Sequence, residues 1–436
     1  MSGLKFHLVP FGCQMNIYDS QKMEAILAKS GYRRTGCPEE ADLILLNTCS
    51  IREKAENKVF SMLGRLGELK KNGAEPVIAL GGCMATLRKD EIFRRAPMVD
   101  VVFGPDNMEN LPRLIEEFTA TGARRIDAEF ADHTVWDGMD AGQTAVCAHV
   151  GIAKGCDNHC SYCIVPRTRG PEISRPPESI LAEARLLAEK GCAEVTLIGQ
   201  NVNSYGKGGS ADFPALLKMV EKVPGIRRIR FMTSHPKDLG EPLVQTMADS
   251  KKICPAVHMP VQAGSNRVLS AMNRGYTAEE YLEKVARLRK AVPGVSVSSD
   301  LMVGFPGETE EDFQETLNVM KTALFDGIFL FNHSPRPGTK SADLPGLVTR
   351  EVSQSRFYRA NALHKAIMAE KLSSMVGTEQ EVLCEGPAVG GGDGVQGRTR
   401  GNHLVFFDGG PELVGQTLKI TITRVLGYNL GGKTTV

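Results

Sequence analysis

Gly155-Cys156-Asp157-Asn158-His159-Cys160-Ser161-Tyr162-Cys163 places three cysteines within eight residues, with three and then two residues between them. A loop this short can turn three thiolates toward one face of a metal centre. Cysteine thiolates are the usual ligands of iron–sulfur clusters. Three of them leave one iron of a four-iron cluster open, and an open position is what a metal needs to bind something other than protein. Zinc is the rival reading, but structural zinc takes four closed ligands. His159 could be the fourth, though it lies between two ligands on the same tight turn. A disulfide does not suit a chain with no export signal.

Around this loop the chain repeats strand then helix. Strands are expected at 148–154, 194–200, 228–232, 256–261, 295–303 and 327–331, and helices at 177–190, 277–291 and 310–323. Six such units make a partial β/α barrel, too few for the closed eight-unit form. The cysteine loop follows the first strand, where barrel active sites lie. Polar residues mark the other strand ends: Gln200-Asn201-Val202-Asn203, Thr233-Ser234-His235, Gln262-Ala263-Gly264-Ser265, and Ser299-Asp300 ahead of Gly304-Phe305-Pro306-Gly307-Glu308-Thr309. Each alone is an ordinary turn or cap, and Gly-Glu-Thr is a normal helix entry. Together they suit a ligand with amino, carboxylate and ribose groups. His235 reads equally as a site residue or a capped structural histidine.

The first 120 residues also alternate. Strands are expected at 4–10, 42–47, 76–80 and 99–103, with helices at 18–30 and 52–71, which predicts a doubly wound parallel sheet. Cys13 follows the first strand, Cys49 the second and Cys83 the third. Ligands of open α/β sheets gather at the carboxyl ends of the strands, so these distant cysteines should meet at one edge. Inert buried cysteine is the bland alternative. Cys37, in a loop before Pro38, does not fit the pattern. Three cysteines at three matching strand ends are read as a second three-thiolate site with an open iron.

Residues 121–145 lose all period and read as a linker. Its acidic residues are Asp127, Glu129, Asp132, Asp137 and Asp140, and its short extended piece holds the only tryptophan, Trp136. A long helix is expected at 352–371. From about 377 the period becomes two, with strands at 381–384, 404–407 and 418–423, which predicts a small antiparallel barrel. Beside one strand, Gly397-Arg398-Thr399-Arg400-Gly401-Asn402 carries two arginines, read either as RNA phosphate contacts or as a solvated edge. The division is 3–120, 121–141, 142–372 and 375–436. A formal charge of +1 over 436 residues predicts no general polyanion surface. No apolar run approaches the ~18 residues of a membrane span, and the N-terminus lacks a signal-peptide layout, so a cytoplasmic chain is expected. Eleven cysteines in a reducing compartment point to metal or catalysis.

Two resemblances add to this reading. The pattern Cys-x-x-x-Cys-x-aromatic-Cys resembles the signature of the radical SAM enzymes. It implies that the open iron binds the amino and carboxylate groups of S-adenosylmethionine, that reductive cleavage gives a 5′-deoxyadenosyl radical, and that Tyr162 lies near the adenine. Gln200, Asn201, Gln262 and Asp300 are then candidate contacts to S-adenosylmethionine. The strings Gly12-Cys13-Gln14-Met15-Asn16, Asn47-Thr48-Cys49-Ser50-Ile51-Arg52-Glu53-Lys54-Ala55-Glu56 and Gly81-Gly82-Cys83-Met84-Ala85 resemble the N-terminal domain of the methylthiotransferases, and the last sixty residues are similar to the TRAM domain, an oligonucleotide-binding-like barrel that grips RNA.

That resemblance covers nearly the whole chain. It implies two [4Fe-4S] clusters, one on Cys156, Cys160 and Cys163 and one on Cys13, Cys49 and Cys83. The second would hold the sulfur to be delivered, one S-adenosylmethionine methylating it and another supplying the radical. Cys13-Gln14-Met15-Asn16 resembles the branch acting on isopentenylated adenosine beside the tRNA anticodon. Cys160 to Arg167 and Pro171 look mixed with the threonylcarbamoyladenosine branch. The implied partners are a tRNA anticodon stem-loop and a flavodoxin or ferredoxin; no membrane is involved. No general acid or base is assigned. Threonylcarbamoylated tRNA, a ribosomal protein, and a non-catalytic iron–sulfur RNA-binding protein remain the alternatives.

Overall fold

Leu43, Ile44, Leu45 and Leu46 are fully buried in succession, as a central strand covered on both faces demands. The computed structural model describes residues 3–50, 53–71, 75–131, 146–207, 209, 211–389 and 394–435. Trp136 and its extended piece, and Ile51-Arg52, lie outside them. The strand Leu43–Thr48 belongs to a six-stranded, all-parallel sheet ordered Arg33–Arg34, Lys5–Pro10, Leu43–Thr48, Val77–Gly82, Val101–Phe103, Arg125–Asp127. Alternation along the strands serves both faces. Leu43 and Leu45 pack with Met23, Leu27, Leu111 and Leu114 from helices Gln14–Lys29 and Leu111–Thr121. Ile44 and Leu46 pack with Val59, Leu63 and Leu66 from helix Glu53–Lys71. The sheet is therefore doubly wound. Its order reverses between Lys5–Pro10 and Leu43–Thr48, the topological switch point where such sheets bind ligands.

The sheet has two strands beyond the four expected. Arg33–Arg34 and Arg125–Asp127 lie at its edges, the second within the stretch read as linker. Neither carries an apolar run for a sequence pattern to catch.

The central unit has six parallel strands: Cys147–Gly151, Glu194–Ile198, Arg228–Phe231, Ala256–His258, Ser296–Val303 and Gly327–Asn332. They form two three-stranded groups linked by a bridge between Ile229 and Ile253. Val150, Val195, Leu197, Ile229, Phe231 and Val257 face the surrounding helices in one core. Among the described residues the first and last strands do not pair, so this is the expected open (β/α)6 barrel. Helices Ala278–Ala291 and Glu310–Ala323 begin with capping boxes at Thr277 and Thr309. Thr309 in Gly307-Glu308-Thr309 is thus a helix entry, and the buried Glu308 accepts from Arg356 at 2.8 Å. Arg356 lies on the long helix Arg350–Met375, which leads out of the barrel and lends Met368 and Leu372 to the next core.

That core belongs to a closed five-stranded barrel ordered Glu379–Pro387, Val395–Thr399, Leu404–Phe407, Asn429–Thr434, Thr417–Leu426. It is not wholly antiparallel, because Leu404–Phe407 and Asn429–Thr434 run parallel to close the ring. The small barrel seals the amino-terminal end of the large one. Arg228 donates to the carbonyl of Arg398 at 2.8 Å, and Arg230 to those of Thr399 and Arg400 at 2.8 and 3.0 Å. No helix among the described residues is long and apolar enough to cross a membrane.

Candidate active site

Cys13, Cys49 and Cys83 meet at the carboxyl edge of the sheet. Cys13 caps helix Gln14–Lys29, Cys49 directly follows Leu43–Thr48, and Cys83 opens helix Cys83–Arg88. A hydrogen bond with Cys49 is the main cause bringing the Cys13 thiol down to about 6, against burial. Burial raises the Cys83 thiol, against the nearby Arg169. The approach requires Gly12, which has φ +119°; a Cβ there would stand 2.5 Å from Cβ of Cys49. Two buried asparagines brace the loops. Asn47 Nδ2 donates to the carbonyl of Asn16 at 2.7 Å and to Ser20 Oγ at 2.9 Å, and Asn16 Nδ2 to the carbonyl of Thr48 at 2.9 Å. Thr48 Oγ1 donates to the carbonyl of Gly81 at 2.6 Å. Asn16, Asn47 and Thr48 stand in the cysteine strings because they set the spacing of the loops.

The other trio is local. Gly155, at φ +73°, turns the chain where a Cβ would fall 1.8 Å from the carbonyl oxygen of Pro171. The Cys163 amide donates to the carbonyl of Cys160 at 3.0 Å. Ser161 anchors the loop, donating from its amide to Met272 and from its hydroxyl to the carbonyl of Ala271 at 2.8 Å. Burial pushes the Cys163 thiol up to about 12 and also raises that of Cys156. His159 is exposed, and its carbonyl is held by Asn273. Arg274, unnoticed in the sequence, is buried and donates from Nη1 to Cys160 Sγ at 3.2 Å and to the Tyr162 hydroxyl at 3.4 Å.

Buried polar contacts join the two halves. Arg169, six residues after Cys163, donates to Cys83 Sγ at 3.2 Å and to Asp19 at 2.7 Å. Lys154 pairs with Asp106 at 2.6 Å. Tyr18 donates to Glu183 at 3.3 Å and accepts from Arg175. Met15, Tyr18 and Ile198 pack together with Cys13 against them. Thr86, Lys89, Phe130 and Arg167 line a cleft of about 240 Å³ beside both cysteine-bearing segments.

Among the described residues no three His, Cys, Asp or Glu groups are gathered at ion-holding distances. The thiols of each trio instead engage amide, thiol and guanidinium neighbours. The donor sets suit iron–sulfur clusters: three soft sulfurs in each, and a buried guanidinium on each to balance thiolate charge.

Family models match along the chain: Uncharacterized protein family UPF0004 at residues 5–104, Radical SAM superfamily at 150–320, and TRAM domain at 373–434. A tRNA-2-methylthio-N(6)-dimethylallyladenosine synthase from Bordetella bronchiseptica is 45% identical over 98% of this chain and 92% of its own. One from Moorella thermoacetica is 44% identical over 98% of both. The chain belongs to the tRNA-2-methylthio-N(6)-dimethylallyladenosine synthase family. In fold it is similar to a radical S-adenosylmethionine methyltransferase from Kitasatospora setae, with a TM-score of 0.57 at 15% identity over 78% of this chain and 75% of that one.

In this member of the synthase family the remaining candidates divide. Oε1 of Gln200 is buried and meets no donor among the described residues. Asp300 faces His258 Nε2 at 3.3 Å, and Gln262 holds a left-handed backbone, φ +74°, bonded to the Asp300 strand. Asn201 is committed, donating to Asp238 at 2.7 Å and accepting from the His235 amide at 3.0 Å. His235 is buried, and burial brings its pKa down to about 2. Its imidazole accepts from the Lys237 amide at 3.3 Å, as a structural cap does. Arg400 lies in the joint between the barrels, donating to the carbonyl of Ile253 at 3.0 Å. Arg398 pairs loosely with Glu385, 3.4 Å away, and keeps 38% of its side chain exposed.

Proposed function

We propose that this chain adds a methylthio group to C2 of N6-dimethylallyladenosine (N6-isopentenyladenosine) in tRNA. The observation that carries the proposal is the 45% identity over 98% of the chain to synthases named for that product. Cys156, Cys160 and Cys163 would hold one four-iron cluster and Cys13, Cys49 and Cys83 the other. When bound, the first supplies one-electron cleavage of S-adenosylmethionine, which an aromatic C–H requires because acid–base chemistry cannot remove that hydrogen, and the second supplies sulfur.

The chain's own residues orient the reactants. Gln200 offers its buried acceptor to the amino group of S-adenosylmethionine, with Asp300, Gln262 and Tyr162 as further contacts. Asn201 acts by holding the strand-end loop at His235. The cleft beside Cys83 and Arg167 is the approach for the nucleoside. Lys89 pairs there with Glu129, while Arg167 meets the neutral carbonyl of Pro337. The choice of the uncharged dimethylallyl group rests on the relatives named for that product. Arg398 is the phosphate contact proposed for the small barrel. A flavodoxin- or ferredoxin-type donor and a cytoplasmic location belong to the same proposal.

Anaerobic incubation with S-adenosylmethionine, a reductant and anticodon stem-loops tests it, with nucleosides read by mass spectrometry. The dimethylallylated loop should gain a methylthio group, and the unmodified and threonylcarbamoylated loops should not. A preference for the threonylcarbamoylated loop would overturn the substrate assignment.

A further inference from the structure

Arg169 ends the short helix Val165–Arg169, which starts two positions after Cys163. By sequence it belongs to the barrel; by contact it belongs to the sheet. Its side chain is only 6% exposed. Nε donates to Cys83 Sγ at 3.2 Å and Nη2 to Asp19 Oδ2 at 2.7 Å. A buried guanidinium is costly unless its charge is met. Here one carboxylate, itself 5% exposed, and the thiol sulfur of Cys83 meet it. So little water surrounds this group that its field reaches the sulfurs weakly screened.

We propose that Arg169 sets the reduction potential of the sheet-side cluster, acting on Cys83 from the barrel half, with Asp19 as the opposing charge that moderates it. The proposal rests on the reading of Cys13, Cys49 and Cys83 as cluster ligands. A reduced cluster carries one more negative charge than its oxidised form. A fixed cation and an N–H···S bond therefore both favour reduction, and charge and hydrogen bonding at the sulfurs are the protein's means of tuning potential. Loss of Arg169 should make the cluster harder to reduce. Loss of the Asp19 charge should make it easier, because the guanidinium then acts unopposed. The sheet brings three thiolates, but the site becomes electrostatically complete only when the barrel docks.

The test uses the full-length chain with Cys156, Cys160 and Cys163 changed to alanine, so that only the sheet-side cluster can form. After anaerobic reconstitution with iron and sulfide, a dithionite titration with mediator dyes, followed by electron paramagnetic resonance, reads the midpoint potential. If this background holds no iron, the ligand assignment itself fails, which is distinct from failure of the role given to Arg169. With the cluster present, Arg169→Gln should lower the midpoint enough to cut the reduced-to-oxidised ratio about tenfold at a fixed potential. Asp19→Asn should raise the midpoint. Arg169→Lys, which keeps the charge without the planar fork, should fall between the parent and Arg169→Gln. Unmoved midpoints, or shifts of both charge variants in the same direction, would overturn the proposal. If Arg169→Gln does not fold, Asp19→Asn decides alone: an upward shift supports the proposal, and no shift or a downward one overturns it.

Discussion

Cys156, Cys160 and Cys163 come from eight consecutive residues, whereas Cys13 and Cys83 are 70 positions apart and share a site only because a sheet lies beneath them. The local trio carries its spacing in its own loop and needs a few anchors, chiefly Gly155 and Ser161. The dispersed trio inherits its spacing from strand register and from Asn16, Asn47 and Thr48. A site written in one loop is robust to distant change, whereas a site assembled from strand ends is exposed to any fault in their bracing.

The largest expected effect separates the trios outright. Changing all three cysteines of either trio to alanine should halve the iron bound after anaerobic reconstitution. The barrel variant should lose cleavage of S-adenosylmethionine entirely. The sheet variant should still form 5′-deoxyadenosine, yet make no methylthio nucleoside. Equal loss of cleavage in both would abolish the distinction between them.

A fault at the amino-terminal end of the large barrel, away from the contacts that Arg169 and Lys154 make with the sheet, should spare the dispersed trio. Arg228→Ala removes a buried guanidinium that bonds the half-exposed Glu381 and the Arg398 carbonyl and lies 4.0 Å from the buried Glu194, at a cost of about 1–3 kcal/mol. Calorimetry should find a less stable barrel unit while the sheet trio keeps its iron. Loss of sheet iron would mean that the fault passes through the contacts joining the halves.

Bracing variants sharpen the contrast further. Asn47→Ala orphans buried partners, at about 1–3 kcal/mol for each lost acceptor, and should deplete only sheet iron. Ser161→Ala gives up one hydrogen bond, about 1 kcal/mol, and should leave barrel iron in place. Comparable iron loss from both variants would contradict the idea that the local loop is the more robust.

The smallest effect is a pH slope confined to the barrel half. His364, on the long helix, stacks on Tyr428 of the small barrel, and burial lowers its pKa to about 4. Its unfolded value is 6.5, so the unfolded chain takes up the proton more readily between those values. The contribution to stability is whole above 6.5 and is lost as pH falls toward 4. His364→Phe should flatten the fall in melting temperature over that window; an unchanged slope would point to other groups.

The same contrast explains what the sequence made legible. The central strand is an apolar run, and the six barrel strands carry apolar residues in runs or in alternation with polar ones between clear breaks, so pattern alone located them. Val395–Thr399 and Asn429–Thr434 are rich in glycine and polar residues and left no such trace. The local trio could be read from spacing, and the dispersed trio from topology. Arg169 and Arg274 could not be read, because their sulfur partners lie 86 and 114 positions away in sequence. Arg400 was visible as a cation but not as half of a joint, since the carbonyl it holds is 147 residues distant.

The seal between the two barrels has an evolutionary corollary. Arg228 and Arg230 grip main-chain oxygens at Arg398, Thr399 and Arg400, and every amino acid offers that oxygen. The side chain at position 398 can therefore drift without undocking the domain, while Arg400 adds a side-chain bond to the Ile253 carbonyl and the buried Thr399 must stay small. A single-residue insertion there would misalign all three oxygens at once. A small barrel of different sequence should thus dock on this core if the tip keeps its length and the two side chains that also cross the joint, Arg400 and Glu381, are retained, which makes the docking site tolerant of most substitutions and intolerant of insertion or deletion.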